Sequence, residues 1–279
     1  MMRGLHTPVR AIRRRVFKEV AQLGFKADED TLLADMEAIP YAIVNEDSEK
    51  YRESVYRARA IVRERLRLAM GLSLRPENKP VHLTAGVEAS NISEKYYEPP
   101  LMQVIPSACE SCEENKYEVS NICKGCLAHP CQEVCPKDAI SMVNGRSYID
   151  QEKCIKCGKC KSVCPYDAIA KKERPCQKAC GVNAIKSDKM GRAYIDNEKC
   201  VSCGMCMVSC PFGAISDKSQ IFQLARALSE GENVIAEIAP AFVGQFGDNI
   251  TPRNIKAALR ELGFSEVYEV ALGADIGAI

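Results

Sequence analysis

Val9, Ile12, Val16, Val20 and Leu23 recur at three- and four-residue steps behind Thr7 and Pro8. That pattern predicts an amphipathic helix with a capping threonine, proline in the first turn and Gly24 as its stop. A second, shorter helix is expected from Asp28 to Ile39, ending before Pro40. A longer one is expected from Ser48 to Met70, with Tyr51, Val55, Ala58, Val62, Leu66 and Ala69 on one face and Gly71 as terminator. Its other face carries Arg52, Arg57, Arg59, Arg63, Arg65 and Arg67, interleaved with Glu53 and Glu64. It reads as a solvated face, with a docking surface for an acidic partner as the alternative. Arg75 to Pro106, rich in proline, serine and glutamate, reads as an irregular connection. Near the end, Lys218 to Leu228 has helical periodicity and Asn233 to Ala239 is an apolar strand. Thr251 and Pro252 open a helix that runs to Leu262 and closes at Gly263, and Val267 to Ala271 is a second strand. Strand–helix–strand at this spacing predicts the start of a parallel α/β layer. Two strands are marginal alone, so the ending reads as a truncated domain.

Composition adds two constraints. At 279 residues, with 46% hydrophobic and 27% charged residues, the chain suits a globular protein of about two domains. A net charge of +1 gives no argument for binding nucleic acid or a membrane surface. No run of 18 or more apolar residues occurs. Arg13 to Arg15 superficially resemble a twin-arginine leader, but Lys18, Glu19 and Gln22 interrupt the apolar stretch such a leader needs.

The 16 cysteines against 3 histidines change the picture most. Cys154, Cys157, Cys160 and Cys164, followed by Pro165, stand at C-x2-C-x2-C-x3-C-P, and Cys200, Cys203, Cys206 and Cys210, followed by Pro211, repeat it 46 residues later. This is the bacterial ferredoxin spacing for [4Fe–4S] clusters, in which the fourth cysteine ligates the other cluster of the pair. Repeated C-x2-C sets converge on metal more readily than they form disulfides, and a reduced cytoplasm keeps such thiols free to bind it.

An internal repeat sorts the remainder. Cys131 and Cys135 parallel Cys176 and Cys180 at an offset of 45, and Gly145 to Asp150 parallels Gly191 to Asp196 at 46. Upstream, Cys123 and Cys126 complete a first motif with Cys131 and Cys135. The crossover rule then predicts one cluster on Cys123, Cys126, Cys131 and Cys164, and a second on Cys135, Cys154, Cys157 and Cys160. A third falls on Cys180, Cys200, Cys203 and Cys206. Cys176 and Cys210 then need two more ligands, and Cys109 and Cys112 are the two that remain for a fourth. The competing reading is a zinc knuckle on Cys109, Cys112, Cys123 and Cys126. His129 reads as an ordinary loop histidine, and Lys153, Lys156, Lys159 and Lys161 as solvent-facing.

The expected fold class is α+β: a helical leader or docking region with its linker at 1–106, tandem bacterial ferredoxin-like 2[4Fe–4S] domains at 107–217, and a truncated α/β segment at 218–279. Clusters at ferredoxin spacing imply electron transfer.

Three further stretches carry a family resemblance: 233–242 (NVIAEIAPAF), 251–264 (TPRNIKAALRELGF) and 267–275 (VYEVALGAD). Together they resemble the opening of the catalytic domain of iron-only (FeFe) hydrogenases, which in that family directly follows ferredoxin-like accessory domains. Residues 2–10 (MRGLHTPVR) and the Cys109–Cys112 element look like the monomeric, clostridial-type branch. The resemblance implies a full protein that interconverts hydrogen with protons and electrons, with a redox protein such as ferredoxin as donor or acceptor. The family's active-site cluster is held by cysteines well downstream of this opening, and no cysteine follows Cys210. The 279 residues alone are therefore expected to carry the electron relay without catalytic residues for hydrogen evolution. A stand-alone polyferredoxin subunit and a zinc-stapled binding module are the alternative functions.

Overall fold

The computed structural model describes the chain except residues 1–5, 27, 46–51, 91–98, 248 and 279. It divides into two compact units. One is Ala108–Ile215; the other joins His6–Ser107 to the chain from Ser216 onward.

In the second of these, helix Pro8–Lys26 opens with Arg10 N–H donating to Thr7 Oγ1 at 3.3 Å, and it buries Val16, Val20, Leu23 and Gly24. Gly24 does not end this helix. Its Cα lies against helix Ile221–Ser229, where a Cβ would stand 2.7 Å from both Ala225 Cβ and the Phe222 carbonyl oxygen. The glycine is therefore a contact point between helices, invisible to a rule that reads glycine as a stop. Alanine normally gains about 1 kcal/mol over glycine inside a helix. Here overpacking against backbone costs about 1–3 kcal/mol. Gly24→Ala is expected to lower the denaturation midpoint, and a rise would show that the close approach yields freely.

Pro40 does not end the next helix either. Glu29–Ile43, capped by Asp28 accepting from Asp30 N–H at 3.1 Å, runs through it. The lost backbone bond is offset by burial of Met36, Ile39, Ile43 and Pro40 itself. Helix Val55–Ala69 is capped by Ser54, whose hydroxyl accepts from Arg57 N–H; the expected start at Ser48 and the expected core residue Tyr51 lie outside the described residues.

The arginine face of that helix is not a solvated stripe. Arg65 and Arg67 are buried, and Arg67 donates to the carbonyls of Ser73 (2.9 Å), Leu83 (2.7 Å) and Ala85 (2.8 Å). Glu64 pairs with Arg75 at 2.6 Å, Arg57 donates to Ser107 O, and Arg59 donates to Val44 O and stacks over Tyr41. Arg57 and Arg67 thus satisfy carbonyls of the following segment, and Arg59 one of the segment before the helix. The following segment contains a helical turn, Val87–Ser90, and a strand, Met102–Val104.

The core combines these three helices with Phe222. Ser219 N–H donates to Leu68 O, and buried Gln223 donates through Nε2 to Met70 O and Ser90 O. Beyond, strands Ile235–Ile238 and Glu266–Glu269 pair in parallel, Ile235 opposite Glu266. Helix Pro252–Glu261 connects them, and Thr251 and Asn254 cap it reciprocally. The second strand is shorter than expected, because helix Val270–Gly277 begins where it ends. Among the described residues no helix is long and apolar enough to cross a membrane.

The cysteine-rich unit is a duplicated pattern of short pieces, a mixed helix-and-strand arrangement. Strands Ile140–Val143 and Arg146–Ile149 form an antiparallel hairpin across Asn144 and Gly145, both at positive φ, the turn chemistry that suits a tight hairpin. Strands Ile185–Ser187 and Ala193–Ile195 repeat it. Four single-turn helices, Pro130–Glu133, Lys159–Ser162, Pro175–Lys178 and Met205–Ser209, accompany the hairpins. One further pairing is non-local: Lys116–Val119 runs antiparallel to Ile169–Lys172, with Lys116 opposite Lys172.

Candidate metal centres

Each C-x2-C-x2-C loop needs turns that only a few residues adopt without strain. Lys156 and Ser202 sit at φ +59° and +55°, and Gly158 and Gly204 at +80° and +75°, at matching places in the two motifs. Gly125 (φ +57°) serves the first loop, and its missing Cβ would stand 2.1 Å from the Gly145 carbonyl oxygen, so the loop lies directly on the hairpin turn.

These turns bring eight of the thiols together in two sets of four. Cys123, Cys126, Cys131 and Cys164 line one cavity of about 320 Å³, part of it open to solvent. Cys135, Cys154, Cys157 and Cys160 line another of about 340 Å³. Cys164 thus leaves its sequence neighbours and faces the other cavity, while Cys135 takes its place. In the second half, burial raises the Cys206 thiol to about 11, with Cys200, Cys180 and Cys203 close enough to add to the effect. Burial likewise raises Cys176 to about 12, with Cys210 and, more weakly, Cys109 adding to it. Cys112 is pushed up by burial, then by Cys210 and Cys109. Cys109 and Cys112 therefore neighbour Cys210, and Cys109 and Cys210 neighbour Cys176.

The non-local strand pair brings Cys112 there. Its antiparallel register ends at Lys116 opposite Lys172, four residues from Cys112 on one chain segment and four from Cys176 on the other. Arg174 holds the first of these segments, donating through Nε and Nη2 to Cys112 O at 3.0 and 2.8 Å. Sequence reasoning missed Arg174, since its partners lie 62 and 17 residues away and no local pattern marks it.

The sulfurs already accept hydrogen bonds. Cys135, Cys164, Cys180 and Cys210 each accept the backbone N–H of the alanine four residues on, Ala139, Ala168, Ala184 and Ala214, at 3.2–3.4 Å. Ala193 N–H donates to Cys109 Sγ at 3.3 Å and Lys156 N–H to Cys154 Sγ at 3.4 Å, while Ser147 Oγ lies 3.2 Å from Cys131 Sγ. Donors aimed at sulfur stabilise thiolate and raise the potential of any cluster it carries. At Cys123, burial pushes the thiol up, but backbone N–H donors from Ser147 and Gly125 hold it below the ordinary value. Among the described residues no three Cys, His, Asp or Glu draw close enough to hold a single metal ion. Thiols that ring a cavity fit a polynuclear cluster better than one zinc ion. His129 caps a helical turn in the left-handed region, and Lys153, Lys156, Lys159 and Lys161 are exposed.

Residues 123–174 match the LdpA Fe-S cluster-binding domain, 193–216 the 4Fe-4S binding domain, and 232–279 the C-terminal domain of the iron-only hydrogenase large subunit. An uncharacterized ferredoxin of Methanocaldococcus jannaschii is 33% identical over 99 residues, spanning 29% of this chain and 63% of its own. The electron transport protein HydN of Escherichia coli is 37% identical over 71 residues, 25% of this chain and 41% of its own. The chain thus spans less than two thirds of either relative. A 7Fe ferredoxin of Hydrogenibacillus schlegelii is 43% identical over 53 residues, 19% of this chain and 68% of its own. Through its cysteine-rich unit the chain belongs to the ferredoxin family, as an iron–sulfur electron-transfer protein related to the iron-only hydrogenases.

Proposed function

We propose that the chain holds four [4Fe–4S] clusters and forms the electron-relay part of a monomeric, clostridial-type FeFe hydrogenase. The observation that carries this reading is the convergence of eight thiols in two sets of four on separate cavities, supported by the neighbouring of Cys180, Cys200, Cys203 and Cys206 and of Cys109, Cys112, Cys176 and Cys210. Each set would hold one cluster, and a cluster supplies a one-electron couple where the protein supplies thiolate ligands, N–H donors and partial exclusion of water. Residues 1–106 serve as a docking region and linker, 107–217 as the tandem ferredoxin-like domain, and 218–279 as the first strand–helix–strand of a hydrogenase catalytic domain. The match at 232–279 supports the last assignment. The working environment is a reduced cytoplasm, and the partner is a ferredoxin-type donor or acceptor.

Anaerobic reconstitution followed by iron and sulfide analysis tests the cluster count. About 16 iron and 16 sulfide per chain are expected, four of each per cluster. Stoichiometric zinc without sulfide would sink the proposal in favour of a stapled binding module. With reduced methyl viologen the loaded chain should evolve no hydrogen, since no cysteine follows Cys210; hydrogen evolution would place catalysis within these residues. The relatives' names, ferredoxin and electron transport protein, favour a second reading as a polyferredoxin-type subunit of a larger oxidoreductase. Co-purification with a separate catalytic subunit would distinguish it.

A further inference from the structure

Arg174 is the only buried charged residue among the described residues of Ala108–Ile215, with 2% of it exposed. Besides its two bonds to Cys112 O, it donates through Nη2 to Gly191 O at 2.8 Å and through Nη1 to Lys186 O at 3.3 Å. Its one carboxylate neighbour, Glu114, lies 3.7 Å away and is itself 47% exposed. The guanidinium is thus solvated by three carbonyls and only loosely neutralised. A buried cation whose ion pair is long and half-exposed is costly, and it is sustained where further negative charge stands nearby. The thiols of Cys112 and Cys176 are the candidates. Arg174 donates to the carbonyl of Cys112 itself and stands two residues before Cys176. Nor is the cation replaceable by the repeat's other half, because the matching position in the first half is His129, half-buried and capping a turn.

We propose that Arg174 is the positioning residue of the Cys109–Cys112–Cys176–Cys210 centre: it latches the Cys109–Cys112 segment beside Cys176 and, as a fixed buried cation, raises that centre's reduction potential. This rests on the reading that these four cysteines hold a cluster. Reduction by a low-potential one-electron donor takes the cluster core from 2+ to 1+, with one electron gained and no proton required. The added negative charge is stabilised by a cation held in a low-dielectric position and unscreened by salt. A centre of raised potential holds the electron that its neighbours pass on.

The test uses the full chain, reconstituted anaerobically, with iron analysis and a dithionite titration followed by electron paramagnetic resonance. Cys112→Ser identifies the centre, as the one whose signal disappears with about four iron atoms. If Cys112→Ser leaves iron unchanged, the underlying four-cysteine reading fails by itself. Arg174→Met is expected to keep full iron while the same centre becomes at least tenfold harder to reduce, 59 mV for a one-electron couple. Arg174→Lys keeps the charge and should hold the potential within that margin. Full iron in Arg174→Met with every centre unmoved overturns the inference. So does full iron in Arg174→Lys with the centre displaced as far as in Arg174→Met. Loss of four iron atoms in both variants leaves Arg174 a latch only and overturns its role in setting the potential.

Discussion

Cys164→Ser is expected to remove about four iron atoms from the reconstituted chain, and Cys123→Ser added to it should remove no more. Cys164 lines the cavity of Cys123, Cys126 and Cys131, so the two substitutions strike one centre. Cys164→Ser combined with Cys157→Ser should instead remove about eight, because Cys157 lines the other cavity although it lies only seven positions away. Substitutions sharing one centre cannot add, while those in separate centres can. The outcome to watch for is the reverse. If Cys157 and Cys164 prove non-additive and Cys123 and Cys164 additive, the motif is a self-contained site and the crossover is wrong.

Phe222→Ala should cost about 3–5 kcal/mol, the largest loss expected from a single side chain outside the cysteines. Phe222 is 1% exposed in a core otherwise made by residues from Val16 to Val87. Removing its ring opens a cavity bordered by helix Pro8–Lys26, whose Gly24 lies beside the Phe222 carbonyl. Hydrogen exchange should therefore quicken in Pro8–Lys26, some two hundred residues upstream in sequence, by more than tenfold. Unchanged protection there would mean the two helices do not share a core. The same contact explains why Ser229 Oγ reaches the Gly24 carbonyl at 3.4 Å.

Much of this protein is local, and local features were legible. Amphipathic periodicity located the first helix and the cap at Thr251, because helices and caps form between residues three and four apart. The cysteine motifs announce iron–sulfur chemistry for the same reason: three thiols on one loop meet without any help from the rest of the chain. Stop signals failed where packing outweighed propensity, at Gly24 and Pro40. Both residues lie inside buried helices, and burial of Leu23, Ile39 and Ile43 offsets what the glycine and the proline cost. The arginines of Val55–Ala69 were misread for a related reason. Periodicity shows which face is charged, whereas the carbonyls that Arg67 satisfies belong to a segment 6 to 18 residues further on.

Sequence by itself determined the kind of chemistry, the number of thiols and the internal repeat, since each is written in the cysteine spacings and their recurrence after 45–46 residues. Tertiary structure alone decided how Cys109 and Cys112 reach Cys176. That approach depends on the register of Lys116–Val119 against Ile169–Lys172 and on one buried guanidinium, contacts spanning more than fifty residues. Strand register is set by which side chains can be buried together, a property of the assembled core and not of either strand alone.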